Sequence, residues 1–102
     1  MSKPRYDWWS YIKAVIRRYP ELKGREMSGI ALREKEAVEA AIAATERMRN
    51  GMDRLAVIRM VLWDKTHTLE GAALMIPCHY ETARHWHSDF IKEVARQFGL
   101  LD

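Results

Sequence analysis

The chain is short of most of the residues that specialised chemistry needs. It has a single cysteine, Cys78, in 102 residues, which excludes an intrachain disulfide and a zinc site built on cysteines. No apolar run approaches the ~18 residues of a membrane-spanning helix. The opening MSKPRYDWW carries neither an apolar stretch nor a small-residue cleavage site, so a cytoplasmic location is expected. Five glycines and three prolines form no linker and no phosphate-cradling loop. There is no repeat, no low-complexity tract and no paired-carboxylate pattern. With Cys78 and His79 merely adjacent in sequence, and sequence neighbours seldom paired as nucleophile and base, no catalytic residue, no enzyme activity and no cofactor are expected.

What is present is an ordinary globular balance, 48% apolar and 30% charged, well away from disorder. A domain of this size has little stability to spare, which makes self-association a natural expectation. The net charge of +3 is unevenly spread. Residues 1–30 carry +4, residues 31–50 balance, residues 51–66 carry +1 and residues 67–102 carry −2. Nucleic-acid binding usually leaves a strong basic footprint, and here it is weakest at the C-terminal end, where all four histidines lie.

Hydrophobic spacing predicts an all-α fold of about five helices. Trp8, Ile12, Val15, Tyr19 and Leu22 recur at helical intervals over 7–22, flanked by Trp9 and Ile16, with Pro20 expected to end that helix. Lys13, Arg17 and Arg18 fall off the stripe, as a solvated face or a phosphate-contacting one. Residues 23–30 read as a connector. An alanine-rich helix follows over 31–50 with the stripe Val38, Ala41, Ile42, Thr45 and Met48, and Gly51 is expected to take the left-handed conformation that stops it. Asp53 is placed as the cap of a helix over 54–63 with Leu55, Ile58, Val61 and Leu62 inward. After a polar break at 64–67, Thr68 caps a short helix through Ile76, residues 77–79 turn, and a last helix runs over 80–98 to Gly99. Residues 1–50 then form an interaction unit and residues 51–102 a second unit.

The segment TLEGAALMIPCHYETARHWH (68–87) has the layout of a helix-turn-helix. Ala73 is small enough for a second helix to cross, Ile76 closes onto the core, Pro77 breaks the first helix and His79 occupies the N-cap of the second. Ala83, Trp86 and Phe90 then point inward. Tyr80, Glu81, Arg84, His85 and Ser88 are left on the outer face as candidates for reading base edges in the major groove. Arg84 can pair with guanine in two-pronged fashion and Glu81 can accept from a cytosine amino group. Thr68, His79 and Thr82 at helix N-termini, with Lys65, Thr66 and His67 just before, are candidates for phosphate contacts. Four histidines with an ordinary pKa near 6.5 predict tighter DNA binding near pH 6 than pH 8.

The C-terminal part resembles region four of sigma factors. Over most of its length the chain resembles the RinA- and ArpU-type late-gene regulators of phages and prophages, through WWSYIKAVIRRYPEL (8–22) and VLWDKTHTLEGAALMIPCHYETARHWHSDFIKEVARQFGL (61–100). The connector at 23–30 is shorter than is usual in that group. The resemblance implies a regulator of late phage genes in a bacterial host cell, binding double-stranded DNA; an exposed Trp8 or Trp9 would mark a contact with RNA polymerase or a second copy of the chain.

Other readings rest on fewer features. His79 and His87 lie eight apart, but His85 and His87 point about 200° apart on a helix and no carboxylate completes a ligand set, so no metal site is expected. Trp8, Trp9 and Tyr11 fit a core or interface better than base stacking. A DNA-packaging adaptor like the small terminase subunits is the alternative function, favoured by a ring of about eight or more copies. A protein-only adaptor is a third.

Overall fold

The structure, a computed structural model, describes residues 6–101. Residues 1–5, which open the expected N-terminal unit, lie outside the described residues, as does Asp102. The fold is all-helical: α1 (Trp9–Leu22), α2 (Gly29–Glu46), α3 (Gly51–Ile58), which runs on as a π-helical turn over Arg59–Trp63, α4 (Leu69–Met75) and α5 (Tyr80–Phe98). No helix among the described residues is long and apolar enough to cross a membrane.

The stripe of α1 buries Ile12, Val15, Ile16 and Tyr19. Pro20 lies inside the helix and does not end it. A proline removes the N–H that would bond the carbonyl four residues back, here that of Ile16. The indole Nε1–H of Trp63 donates to that carbonyl at 2.8 Å, so the bond that Pro20 cannot make is replaced across the core. The helix then continues to Leu22, and the Lys23 N–H still reaches the Tyr19 carbonyl at 2.9 Å.

The second helix begins and ends earlier than its composition predicts, at Gly29 and Glu46. Alanine favours helix anywhere and marks no boundary, and the chain turns over 47–50. Asn50, not Gly51, takes the left-handed conformation (φ 61°). Gly51 is buried as the first residue of α3, and a Cβ there would lie 2.5 Å from the Thr45 carbonyl oxygen and 2.8 Å from that of Glu46. Its role is close approach. Asp53 consequently sits in the first turn of α3 and not at its cap. Glu34 on α2 is buried but not orphaned. It accepts from the Tyr11 hydroxyl and pairs with Arg18 at 3.4 Å, which ties α1 to α2.

Two apolar clusters organise the fold. The larger joins α1, α2, α3 and its π-turn, and α5 through residues such as Ile12, Ile16, Val38, Ile58, Leu62, Ile91 and Val94, with Trp8 and Trp9 packed at its margin. It draws on both sides of position 50. The smaller holds Val57, Ala72, Ala73, Ala83 and Trp86, with Leu69, Ile76 and Cys78 packed against it. Because α3 faces both clusters, Val57 is buried although it lies off the predicted stripe. Helix α5 also serves both, its first half the smaller cluster and its second half the larger.

Candidate nucleic-acid interface

Helix α4 starts where its cap chemistry dictates. Thr68 is extended and its Oγ1 accepts from the Gly71 N–H at 3.1 Å, which satisfies one of the donors a helix N-terminus leaves open. The helix ends at Met75, and the Cys78 N–H reaches the Ala73 carbonyl at 3.0 Å through the turn. Buried Ala72 and Ala73 face buried Ala83 and Trp86, small side chains that let α4 and α5 approach closely. Helix α5 then runs over Tyr80–Phe98 and stops at Gly99, whose φ is 96°. The Gly99 and Leu100 N–H groups take up the Arg96 and Ala95 carbonyls at 3.1 and 2.8 Å.

On the outer side of α5, Tyr80, Glu81, Arg84 and His85 are exposed and Ser88 is half-buried. Arg84, His85 and Ser88 line one shallow depression with Asp89 and Lys92. Lys92, one helical turn beyond Ser88, is a cation on this surface that the helix-turn-helix motif does not include, although its spacing from Ser88 signals it. Arg84 is not idle: its Nη2 pairs with Glu81 at 2.7 Å, both side chains being more than half exposed. That contact holds the guanidinium in place along the helix face and favours its charged form. Asp89 pairs with Arg54, which also lies over the Trp86 ring.

The phosphate candidates fall in two places. Thr68 and Tyr80 line a common depression with Leu69 and Glu70, which brings the N-termini of α4 and α5 together. The Thr68 oxygen is occupied as a cap, leaving its hydroxyl proton to donate. Thr66 Oγ1 lies 2.9 Å from His67 Nδ1, and both backbone N–H groups bond the Met60 carbonyl. Lys65 is exposed with a left-handed backbone (φ 57°). His79 is exposed at the N-cap of α5 but its side chain caps nothing, and Thr82 is half-buried in the first turn. The structure therefore brings Thr68 and Tyr80 together at one depression and Arg84, His85 and Ser88 together at a second one further along α5, with Lys65, Thr66 and His67 preceding α4 in the chain and His79 beside the turn with Leu74 and Pro77.

His87 departs from expectation. It is buried, and burial first, then the charges of Lys13 and Arg17, push its pKa down to about 4. It is neutral at neutral pH and cannot take part in a binding change between pH 6 and 8. Among the described residues no three His, Cys, Asp or Glu side chains are grouped to hold a metal ion. At the other end of the molecule Tyr6 stacks on Trp8 and Tyr11 meets the Phe98 ring edge-on.

Comparison of the chain with models of known protein families, with curated proteins and with solved structures finds no match.

Proposed function

We propose that this chain is a sequence-specific double-stranded-DNA-binding transcription regulator of phage or prophage type, with α4 and α5 as a helix-turn-helix and α5 in the major groove. The observation that carries the reading is the exposed polar outer side of α5, with Tyr80, Glu81, Arg84 and His85 open to solvent, set on two helices packed together through Ala72, Ala73, Ala83 and Trp86. A groove-reading helix needs an exposed polar N-terminal half on a rigid support, and both are present. Tyr80, Glu81, Arg84, His85 and Ser88 face base edges. Lys65, Thr66, His67, Thr68, His79 and Thr82 face phosphates. The phage and late-gene assignment and the bacterial host rest on the resemblance carried by residues 8–22 and 61–100, the cytoplasmic location on the sequence's lack of a long apolar run, and a contact with RNA polymerase on the aromatic pair Trp8 and Trp9. The reading assigns the chain no reaction.

A second reading, a DNA-packaging adaptor, draws support from Met52, Leu74 and Met75, which are 78%, 82% and 61% exposed and which a multi-copy ring would cover. The number of copies in solution separates the two. Arg84→Ala tests the groove assignment. It is expected to weaken binding to a selected site by about 1–3 kcal/mol and to relax preference at one or two base pairs. Equal binding and equal preference in wild type and variant would remove α5 from the groove.

A further inference from the structure

The basic N-terminal part of the chain and its acidic C-terminal part meet in space. Tyr11 touches Phe98 at the far end of α5, and Trp63 bridges Tyr19 to Phe90, with ring centroids 5.9 and 6.0 Å apart. Helix α1 thus runs alongside α5 with its C-terminal half towards the start of α5. Lys13 and Arg17, one turn apart on α1, lie close enough to the His87 ring to oppose its protonation. At 100° per residue, His87 and Tyr80 share a flank of α5, with Arg84 next to them, while Asp89 and its partner Arg54 fall on the opposite flank.

These two cations have no acidic partner among the described residues. The carboxylates of α5 are each paired with an arginine: Glu81 with Arg84 and Glu93 with Arg96 on the same helix, and Asp89 with Arg54 on α3. Glu34, the buried acid next to α1, is held by Arg18. Like charges at this spacing weaken a helix, and Lys13 is pushed down in pKa by burial and by Arg17.

We infer that Lys13 and Arg17 on α1 form a clamp for backbone phosphates of duplex DNA along the Arg84 flank of α5. The inference rests on the groove assignment of α5. Packed helices lie about 8–10 Å apart, and the major groove is about 12 Å wide. With α5 seated in the groove, α1 therefore lies over one rim, where the phosphates are. The clamp also supplies, from a distant part of the sequence, the positive charge that residues 67–102 lack.

The test is Lys13→Gln/Arg17→Gln, with Arg33→Gln as control. Arg33 lies over Phe98, at the opposite end of α5 from Tyr80. Affinities are measured for a selected duplex and a scrambled one between 50 and 200 mM salt, with melting temperatures alongside. Removing one cation from a phosphate lowers the salt slope by about 0.9, so over this range wild type should weaken about twelvefold more than the double variant. The reduction in affinity should be equal on both duplexes, with the melting temperature unchanged or raised and the control like wild type. Wild type that binds the duplexes with the same slope as the double variant overturns the clamp and leaves the groove assignment standing. So does a reduction confined to the selected duplex, or one accompanied by a lowered melting temperature. Wild type that binds neither duplex overturns both.

Discussion

Substituting His87 should change how the protein's stability responds to acid. The ring is 8% exposed, and its pKa falls from 6.5 to about 4 through burial and then through Lys13 and Arg17. Because the folded value lies below the unfolded one, the unfolded chain binds the proton more tightly. The stabilisation is present in full above about pH 6.5 and is lost as pH falls towards 4. A displacement of this size corresponds to about 3 kcal/mol in total, of which about 2.5 kcal/mol is already lost at pH 4.5. His87→Gln keeps a polar side chain of similar reach but does not titrate. Urea unfolding followed by helical circular dichroism, on both proteins at pH 7.5 and 4.5, isolates the effect, because the carboxylates common to the two cancel in the difference. The variant should gain about 2.5 kcal/mol on wild type between the two pH values, whatever the gap at pH 7.5. A gap that does not change with pH would refute the burial of a neutral ring, as would an imidazole that titrates near 6.5 in the folded protein.

The bond from Trp63 to the Ile16 carbonyl should show as a coupling with Pro20. Trp63→Phe leaves a ring in the core but orphans that carbonyl, at a cost of about 1–3 kcal/mol. In a Pro20→Ala background, where residue 20 supplies its own N–H, the same change should cost less, and additive effects in the double-mutant cycle would show that the two sites are independent. Gly51→Ala should destabilise by about 1–3 kcal/mol, despite alanine's better helix propensity, because its Cβ would overlap the Thr45 and Glu46 carbonyls. A variant as stable as wild type in thermal melts would mean that the α2–α3 turn yields.

The clearest elements in the sequence are those whose ends are written in local chemistry. Helix α5 begins after Pro77 and stops at Gly99 as its spacing predicts, and Thr68 caps α4 as its position predicts. The inward set Ala83, Trp86 and Phe90 is buried because one face of a long amphipathic helix leaves little choice. The misses share a tertiary cause. Pro20 is tolerated in α1 only because an indole 43 positions further along the chain replaces the missing donor. The end of α2 depends on how closely Gly51 must approach it, and Val57 is buried because α3 lies between two clusters. His87 reads as one more polar residue of a histidine-rich helix, and only the folded structure shows it to be internal. The charges of Lys13 and Arg17 act on His87 from some 70 residues away in the sequence, and no local pattern announces it.

The most direct test of the central claim is footprinting of purified protein on genomic fragments that it has itself selected, at about 0.1 M salt, a concentration that still permits phosphate contacts. Protection of a defined site within one or two turns of duplex, abolished or broadened in Arg84→Ala, is the predicted result. Protein that retains no fragment, or that protects every fragment alike with and without the arginine, would contradict it.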